Sequence, residues 1–135
     1  MRPARFQDFV LDLAKNSPGV TRVQTVAEAG EAGFPFGLVI VTAAGESRWQ
    51  IIGQLADGEK HEHADTPVEY DPLPAGPEPQ PGGNPEAWMA AVIGRSESRE
   101  IAGVTRWSTR EGERPDSLGM TVAFHNGAKA FVRKV

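Results

Sequence analysis

The 135-residue chain has no cysteine, so disulfides, thiolate nucleophiles and cysteine-bearing zinc sites are excluded. It also lacks a long apolar run: the longest, around residues 36–44 and 87–94, fall far short of the roughly 20 residues that cross a bilayer. Asp8, Asp12 and Lys15 interrupt the N-terminal apolar stretch, so no secretory leader is predicted. The sequence therefore predicts a soluble, cytoplasmic protein with no membrane partner.

Clustered basic residues are also missing. The net charge of -4 and a pI near 5.4 argue against a general nucleic-acid binder, because phosphate contacts need grouped Lys and Arg. Charge is uneven: residues 56–83 carry seven acidic side chains against Lys60 alone, a net -6, which leaves +2 for the rest. A nucleic-acid contact stays a lesser alternative, through Arg22, Arg48, Arg106, Arg110 and Arg133.

What the chain does contain is an internal similarity. The tetrapeptide Gly-Val-Thr-Arg occurs at 19–22 and again at 103–106. A shift of 82 positions places residues 36–53 on 118–135 without a gap, with Gly37 on Gly119, while the tetrapeptides need a shift of 84. Several features at consistent spacing are hard to obtain by chance, so we interpret the pattern as an internal duplication.

Each copy is predicted to fold as one helix followed by three strands. The predicted fold is α+β, a single domain with helices packed on antiparallel sheet and pseudo-twofold symmetry between a first unit at 3–55, an acidic Pro-rich connector at 56–83 and a second unit at 84–135. Apolar residues at helical spacing form the first helix stripe: Phe6, Phe9, Val10 and Leu13. Asn84 is the predicted N-cap of the second helix, and Trp88, Met89, Val92 and Ile93 form its stripe.

The hairpins follow from turn chemistry. Asn126-Gly127 predicts a two-residue turn, which pairs Val122 with Phe131, and the matching first hairpin pairs Ile40 with Trp49. The tetrapeptide is expected to open the first strand of each unit. The predicted inward faces are Phe36, Leu38, Ile40, Trp49 and Ile51 in the first unit, and Leu118, Met120, Val122, Phe124 and Phe131 in the second. The reverse faces are unusually apolar. We expect them to bind a protein partner or a second copy, as a homodimer, through Val39, Val41, Ile52 and Trp107.

One segment has the composition of a metal site. In a short fourth strand over 60–65, His61, His63 and Asp65 would point to one side and could reach one zinc or nickel ion, although an exposed charged loop explains the pattern as well. Arg22 and Arg106 could form a symmetric anion site. No nucleophile elbow or phosphate loop is present, and the carboxylates of Glu111, Glu113 and Asp116 are interpreted as a solvated loop tip.

The sequence thus predicts a non-enzymatic protein-binding or assembly protein that needs no cofactor. Two alternatives stay open: a metal-binding protein or metal-dependent enzyme using His61 and His63, and an accessory protein of a phage or mobile element. The excess of Arg over Lys and the many Ala residues indicate a GC-rich bacterial genome.

Overall fold

Helices and strands follow one another along the chain as one helix and three strands, twice. The computed structural model describes residues 1–109 and 118–135. In these residues the elements are α1 Pro3–Lys15, β1 Arg22–Thr25, β2 Gly37–Thr42, β3 Gly45–Gln54, α2 Pro85–Gly94, β4 Ile101–Arg106, β5 Gly119–Phe124 and β6 Lys129–Lys134. Neither helix is long and apolar enough to cross a membrane.

All six strands join one antiparallel sheet, in the order β1-β2-β3-β6-β5-β4. The two central strands are β3 and β6, which pair over residues 49–54 and 129–134. The expected fourth strand at 60–65 is wrong: these residues form turns and no strand. The edge of β3 that such a strand would occupy is taken by β6.

Both helices begin where the sequence places them. Pro3 is the first residue of α1, and its fixed φ suits that position. Asn84 caps α2, since its side-chain oxygen accepts hydrogen bonds from the backbone N–H groups of Glu86 at 2.8 Å and Ala87 at 3.1 Å. Pro85 follows as the first helical residue.

The core lies between the two helices and one face of the sheet. The two predicted helix stripes enter it, and the sheet contributes the buried side chains of Leu38, Ile40, Trp49, Ile51, Met120, Val122 and Phe124. Trp49, which is fully buried, donates its indole N–H to the hydroxyl of Ser47 at 2.9 Å. The predicted α+β class, with helices packed on antiparallel sheet, is therefore confirmed.

The second hairpin has a different register from the predicted one. Its loop is one residue longer, because the Phe124 N–H bonds to the Ala128 carbonyl and Gly127 adopts a φ of 92°. Val122 therefore lies opposite Ala130, not Phe131. A one-residue slip exchanges the two faces of a strand. Phe131 consequently leaves the core face, and Ala130 and Val132 occupy it.

In the first hairpin, Trp49 lies opposite Leu38 and not opposite Ile40 as expected. This slip is of two residues, which preserves the faces, so the inward assignment of Leu38, Ile40, Trp49 and Ile51 is confirmed.

The repeated tetrapeptide does not occupy equivalent places. The first copy contributes only Arg22 to β1, whereas the second forms the last four residues of β4. Arg22 lies opposite Val41, and Arg106 lies opposite Met120. The expectation that the tetrapeptide opens both strands is wrong, because β4 already begins at the buried Ile101.

Residues 56–83 contain no helix or strand but pack on the rest of the molecule. The Tyr70 N–H bonds to the Arg99 carbonyl at 2.9 Å, and the Tyr70 ring lies 4.8 Å from that of His125. Further along, the Arg95 guanidinium donates to the Gly76 carbonyl at 2.6 Å. These contacts hold the segment beside α2 and the start of β4.

Candidate binding face of the sheet

The candidate site is the face of the sheet opposite α1 and α2, on which no helix of residues 1–109 and 118–135 packs, here called the open face. Strand register assigns its central side chains: Arg48, Gln50, Ile52 and Gln54 from β3, Lys129, Phe131 and Arg133 from β6, and Thr121 and Ala123 from β5. Ile52 is 43% exposed, which is unusual for an aliphatic side chain on a central strand. Phe131 lies directly opposite Ile52 and is partly exposed.

Three of the predicted partner-binding residues offer surface on this face. Val41 and Trp107 are partly exposed, and Ile52 is exposed. Val39 is on the same face but only 1% exposed. The Phe34 ring and Val26 lie over Gly37, two residues away on β2, so the β1–β2 loop accounts for the burial of this end of the face.

Two glycines allow aromatic rings to lie flat on the open face. Gly37 begins β2 and Gly119 begins β5. An added Cβ atom would lie 3.1 Å from the Phe34 ring at Gly37 and 2.6 Å from the Trp107 ring at Gly119. Trp107 is fixed there by its indole N–H, which donates to the Thr121 hydroxyl at 3.0 Å. At both positions the added atom would also meet a carbonyl of the neighbouring strand, so backbone and ring together exclude a side chain.

Two polar side chains, Gln50 and Arg133, lie between the two glycines. Gln50 is opposite Gly37 on one side and Arg133 on the other, and Arg133 is opposite Gly119. Four neighbouring strands at roughly 4.8 Å spacing put about 14 Å between the glycines. The open face is therefore a broad shelf with an aromatic ring at each side and the exposed Arg133 near its middle.

The face is basic although the chain is acidic. Its strands carry four basic side chains and one acidic one: Arg22, Arg48, Lys129, Arg133 and Glu46. Glu46 lies 3.2 Å from Arg48 and 3.9 Å from Arg22. Within residues 1–109 and 118–135, no carboxylate lies within 4.0 Å of Lys129 or Arg133. Among the described residues, these two charges therefore have no acidic partner.

The two arginines of the expected anion site are not brought together. Arg22 is on β1 and Arg106 on β4, which are the two outer strands of the sheet. Arg106 points to the helix side, where its Nε donates to the Glu86 carboxylate at 2.9 Å. Of the other arginines considered for nucleic acid, Arg48 and Arg133 share the open face, and Arg110 lies outside the described residues.

A buried carboxylate, Glu86, was missed by sequence reasoning. It is 0% exposed and accepts hydrogen bonds from Arg106, from the backbone and hydroxyl of Ser108, and from the Gly119 N–H at 2.9 Å. Burial opposes its ionisation, but these donors outweigh burial and lower its pKa. Glu86 thereby ties the first turn of α2 to the strand ends below Trp107. From the sequence alone, the position of Glu86 after Pro85 predicts only a favourable contact with the positive end of the helix dipole.

The proposed metal ligands lie in turns beside α1. Asp65 accepts from the Arg5 guanidinium at 2.9 Å and from the Arg2 N–H at 3.1 Å. His63 accepts the Lys60 N–H through Nδ1 at 3.3 Å, and the His61 carbonyl accepts from Arg2. In the part of the chain that is described, no three His, Cys, Asp or Glu side chains are grouped to hold a metal. Glu111, Glu113 and Asp116 lie outside that part.

Two of the cavities lie away from Ile52 and Phe131 at the centre of the open face. One of about 270 Å³ separates residues 73–77 from α2 and β4, and one of about 120 Å³ lies at the start of α1, where Gln54 and Lys129 help to line it. Neither gathers a set of catalytic side chains. No protein-family model, no curated protein and no solved structure matches the chain.

Proposed function

We propose that this chain is a protein-binding or assembly module that docks its partner on the open face and catalyses no reaction of its own. The observation that carries the proposal is the one-sided cover of a six-stranded sheet, with Ile52 43% exposed at its centre beside Phe131. Contiguous apolar surface rimmed by polar groups is typical of interaction sites.

The shape of the face favours a macromolecular partner over a small ligand. Small-molecule sites are concave and enclose most of the ligand. The cavities of about 270 Å³ and 120 Å³ do not include Ile52, Phe131 or Arg133, and the open face contributes only Gln54 and Lys129 to the smaller one. A broad shelf with separated anchoring side chains instead suits a protein surface, where a few buried aromatic or Arg contacts supply most of the affinity.

The duplication remains part of the proposal, on different grounds from the tetrapeptide. The strand order supports it, because β1-β2-β3 of the first half and β4-β5-β6 of the second half meet at β3 and β6 in the centre of the sheet. The two glycines that begin β2 and β5 are also equivalent, since an added Cβ would approach the carbonyl of the neighbouring strand to 2.1 Å at Gly37 and to 2.6 Å at Gly119. Residues 56–83 would then be a Pro-rich connector between two αβββ units.

A photo-crosslinking residue tests the proposed function. We would place benzoylphenylalanine at Ile52, and at Asp12 on the exposed side of α1 as the matched control, and illuminate each protein in extract of its source cells. We expect a discrete heterologous protein adduct at position 52 that is absent at position 12.

Equal labelling at both positions would contradict the proposal. An adduct of twice the chain mass would mean that the face binds a second copy, and light scattering of the unmodified protein would then report a dimer.

A further inference from the structure

The charges of the molecule are sorted by region. The open face carries four basic side chains and one acidic one, whereas residues 56–83 on the other part of the surface carry a net -6. Since the whole chain has a net charge of -4, the basic open face is not a consequence of composition. Surfaces of one sign attract partners of the other and disfavour partners of the same sign.

The basic side chains of β6 have a regular spacing. Lys129, Phe131 and Arg133 alternate along β6 on the open face, and both charged side chains are exposed. On a strand these positions recur every roughly 6.6 Å, so the two charges are about 13 Å apart with an aromatic ring midway. Beside them on β3, Gln54, Ile52 and Gln50 repeat the order polar, apolar, polar.

We propose that the open face recognises an acidic protein segment in which an apolar side chain is flanked by two carboxylates about 13 Å apart. The apolar group packs on Ile52 and Phe131, and the carboxylates meet Lys129 and Arg133. In an extended chain this pattern is acidic, any residue, apolar, any residue, acidic. The inference rests on the proposed function and names the chemistry of its partner.

Two other occupants fit the face less well. A second copy docked face to face would bring Lys129 and Arg133 against the same basic surface, which costs free energy. Nucleic acid could use the charges and stack on the Phe131 ring, but phosphate contacts need grouped Lys and Arg. Of the four basic side chains, Arg22 and Arg48 already lie within 4.0 Å of carboxylates.

The test is selection of peptides from a random phage-displayed library on the immobilised full chain. We expect enriched peptides to carry an apolar residue between Asp or Glu residues. Their affinity should fall about tenfold or more in Lys129→Glu and in Arg133→Glu, because an attractive charge contact becomes repulsive. Lys60→Glu makes the same charge change in the exposed 56–83 segment and should leave affinity unchanged.

The outcomes separate the partner chemistry from the proposed function. Peptides that lose binding in Ile52→Ser but lack carboxylates, or keep full affinity in Arg133→Glu, overturn the acidic partner and leave a binding face in place. Peptides that bind Ile52→Ser as well as wild type, or no enrichment, overturn both. A fluorescent oligouridylate serves as the second probe: binding near physiological salt that Arg133→Glu abolishes would replace the acidic protein segment with nucleic acid.

Discussion

Both helices are fastened near their first turn by a charged side chain, but the two fastenings differ in sign and in burial. In α1, Arg5 is 45% exposed and donates to Glu100 at 2.7 Å and to Asp65 at 2.9 Å. In α2, the acceptor Glu86 is 0% exposed and is surrounded by donors from β4 and β5. Arg5 connects α1 to the 56–83 segment and to the residue before β4, whereas Glu86 connects α2 to the sheet itself.

The difference between Arg5 and Glu86 shows how burial determines the contribution of a charged hydrogen bond to stability. Around Arg5, water can replace each lost hydrogen bond and screens the charges, so an exposed pair contributes little. Glu86 itself is 0% exposed, so removal of its carboxylate leaves the Gly119 N–H and the Ser108 donors without an acceptor in a buried site. Hydrogen bonds of similar length at Arg5 and at Glu86 are therefore expected to contribute different amounts to the free energy of unfolding, and this difference can be measured.

The largest effect is expected from Glu86→Ala. Breaking a buried pair by removing one partner costs about 3–5 kcal/mol, because the Gly119 and Ser108 N–H groups and Arg106 lose their acceptor. Urea unfolding followed by circular dichroism measures the loss of free energy of unfolding. A loss below about 1 kcal/mol would mean that solvent reaches the Glu86 site and that burial does not distinguish the two fastenings.

The pH dependence of stability should come next. Burial opposes ionisation of Glu86, but its hydrogen bonds lower its pKa, and the Arg5 hydrogen bond lowers that of Glu100. A folded-state pKa below the unfolded value of about 4.3 gives stability that is present above that pH and is lost as pH falls through it. Glu86→Gln should therefore flatten the acid limb of the stability profile.

Glu100→Gln is the matched control for that experiment, since it removes an exposed-side partner of Arg5. It should flatten the acid limb less than Glu86→Gln does. Equal profiles for the two variants in urea melts between about pH 3 and pH 7 would show that the hydrogen bonds to Glu86 add nothing beyond a surface pair.

A smaller effect is expected from Arg5→Ala, about 1 kcal/mol or less. The guanidinium is 45% exposed, so its loss leaves Asp65 and Glu100 accessible to water. The difference from wild type should shrink further as NaCl rises, because salt screens exposed pairs. A salt-independent loss would show that packing of the Arg5 stem, and not its charge, holds the 56–83 segment.

The smallest effect is expected at the pair Arg99 and Glu69, whose side chains are 54% and 58% exposed and 3.7 Å apart. Glu69→Ala should change the free energy of unfolding by less than about 0.5 kcal/mol. With Glu86 and Arg5 it completes a series of three ion pairs ordered by exposure. A larger change would break the proposed ordering and point to a role for Glu69 in seating the segment.

The helices and most core positions follow from the sequence, because they depend on spacing within one element. The stripe of α1, the Asn84 cap and the inward face of β2 are of this kind.

The missed features depend on contacts between distant residues. One additional residue in the His125–Gly127 turn moved Phe131 from the core to the open face, and alternation cannot detect a change in loop length. Glu86 acquires its role only when Ser108 and Gly119, more than twenty residues away, surround it. The equivalence of the two tetrapeptides failed for the same reason, because sequence identity does not fix strand register.

A row of four residues crosses the middle of the open face: Gly37, Gln50, Arg133 and Gly119. The order of its two polar side chains depends on the end from which a ligand enters. Starting at Gly37 and its Phe34 ring, a ligand would meet glutamine before arginine; starting at Gly119 and its Trp107 ring, it would meet arginine first. A ligand turned end for end would lose its charge contact at Arg133 and find an uncharged amide. The shelf thus has a polarity across its strands, and a ligand lying along this row would be held in a single direction.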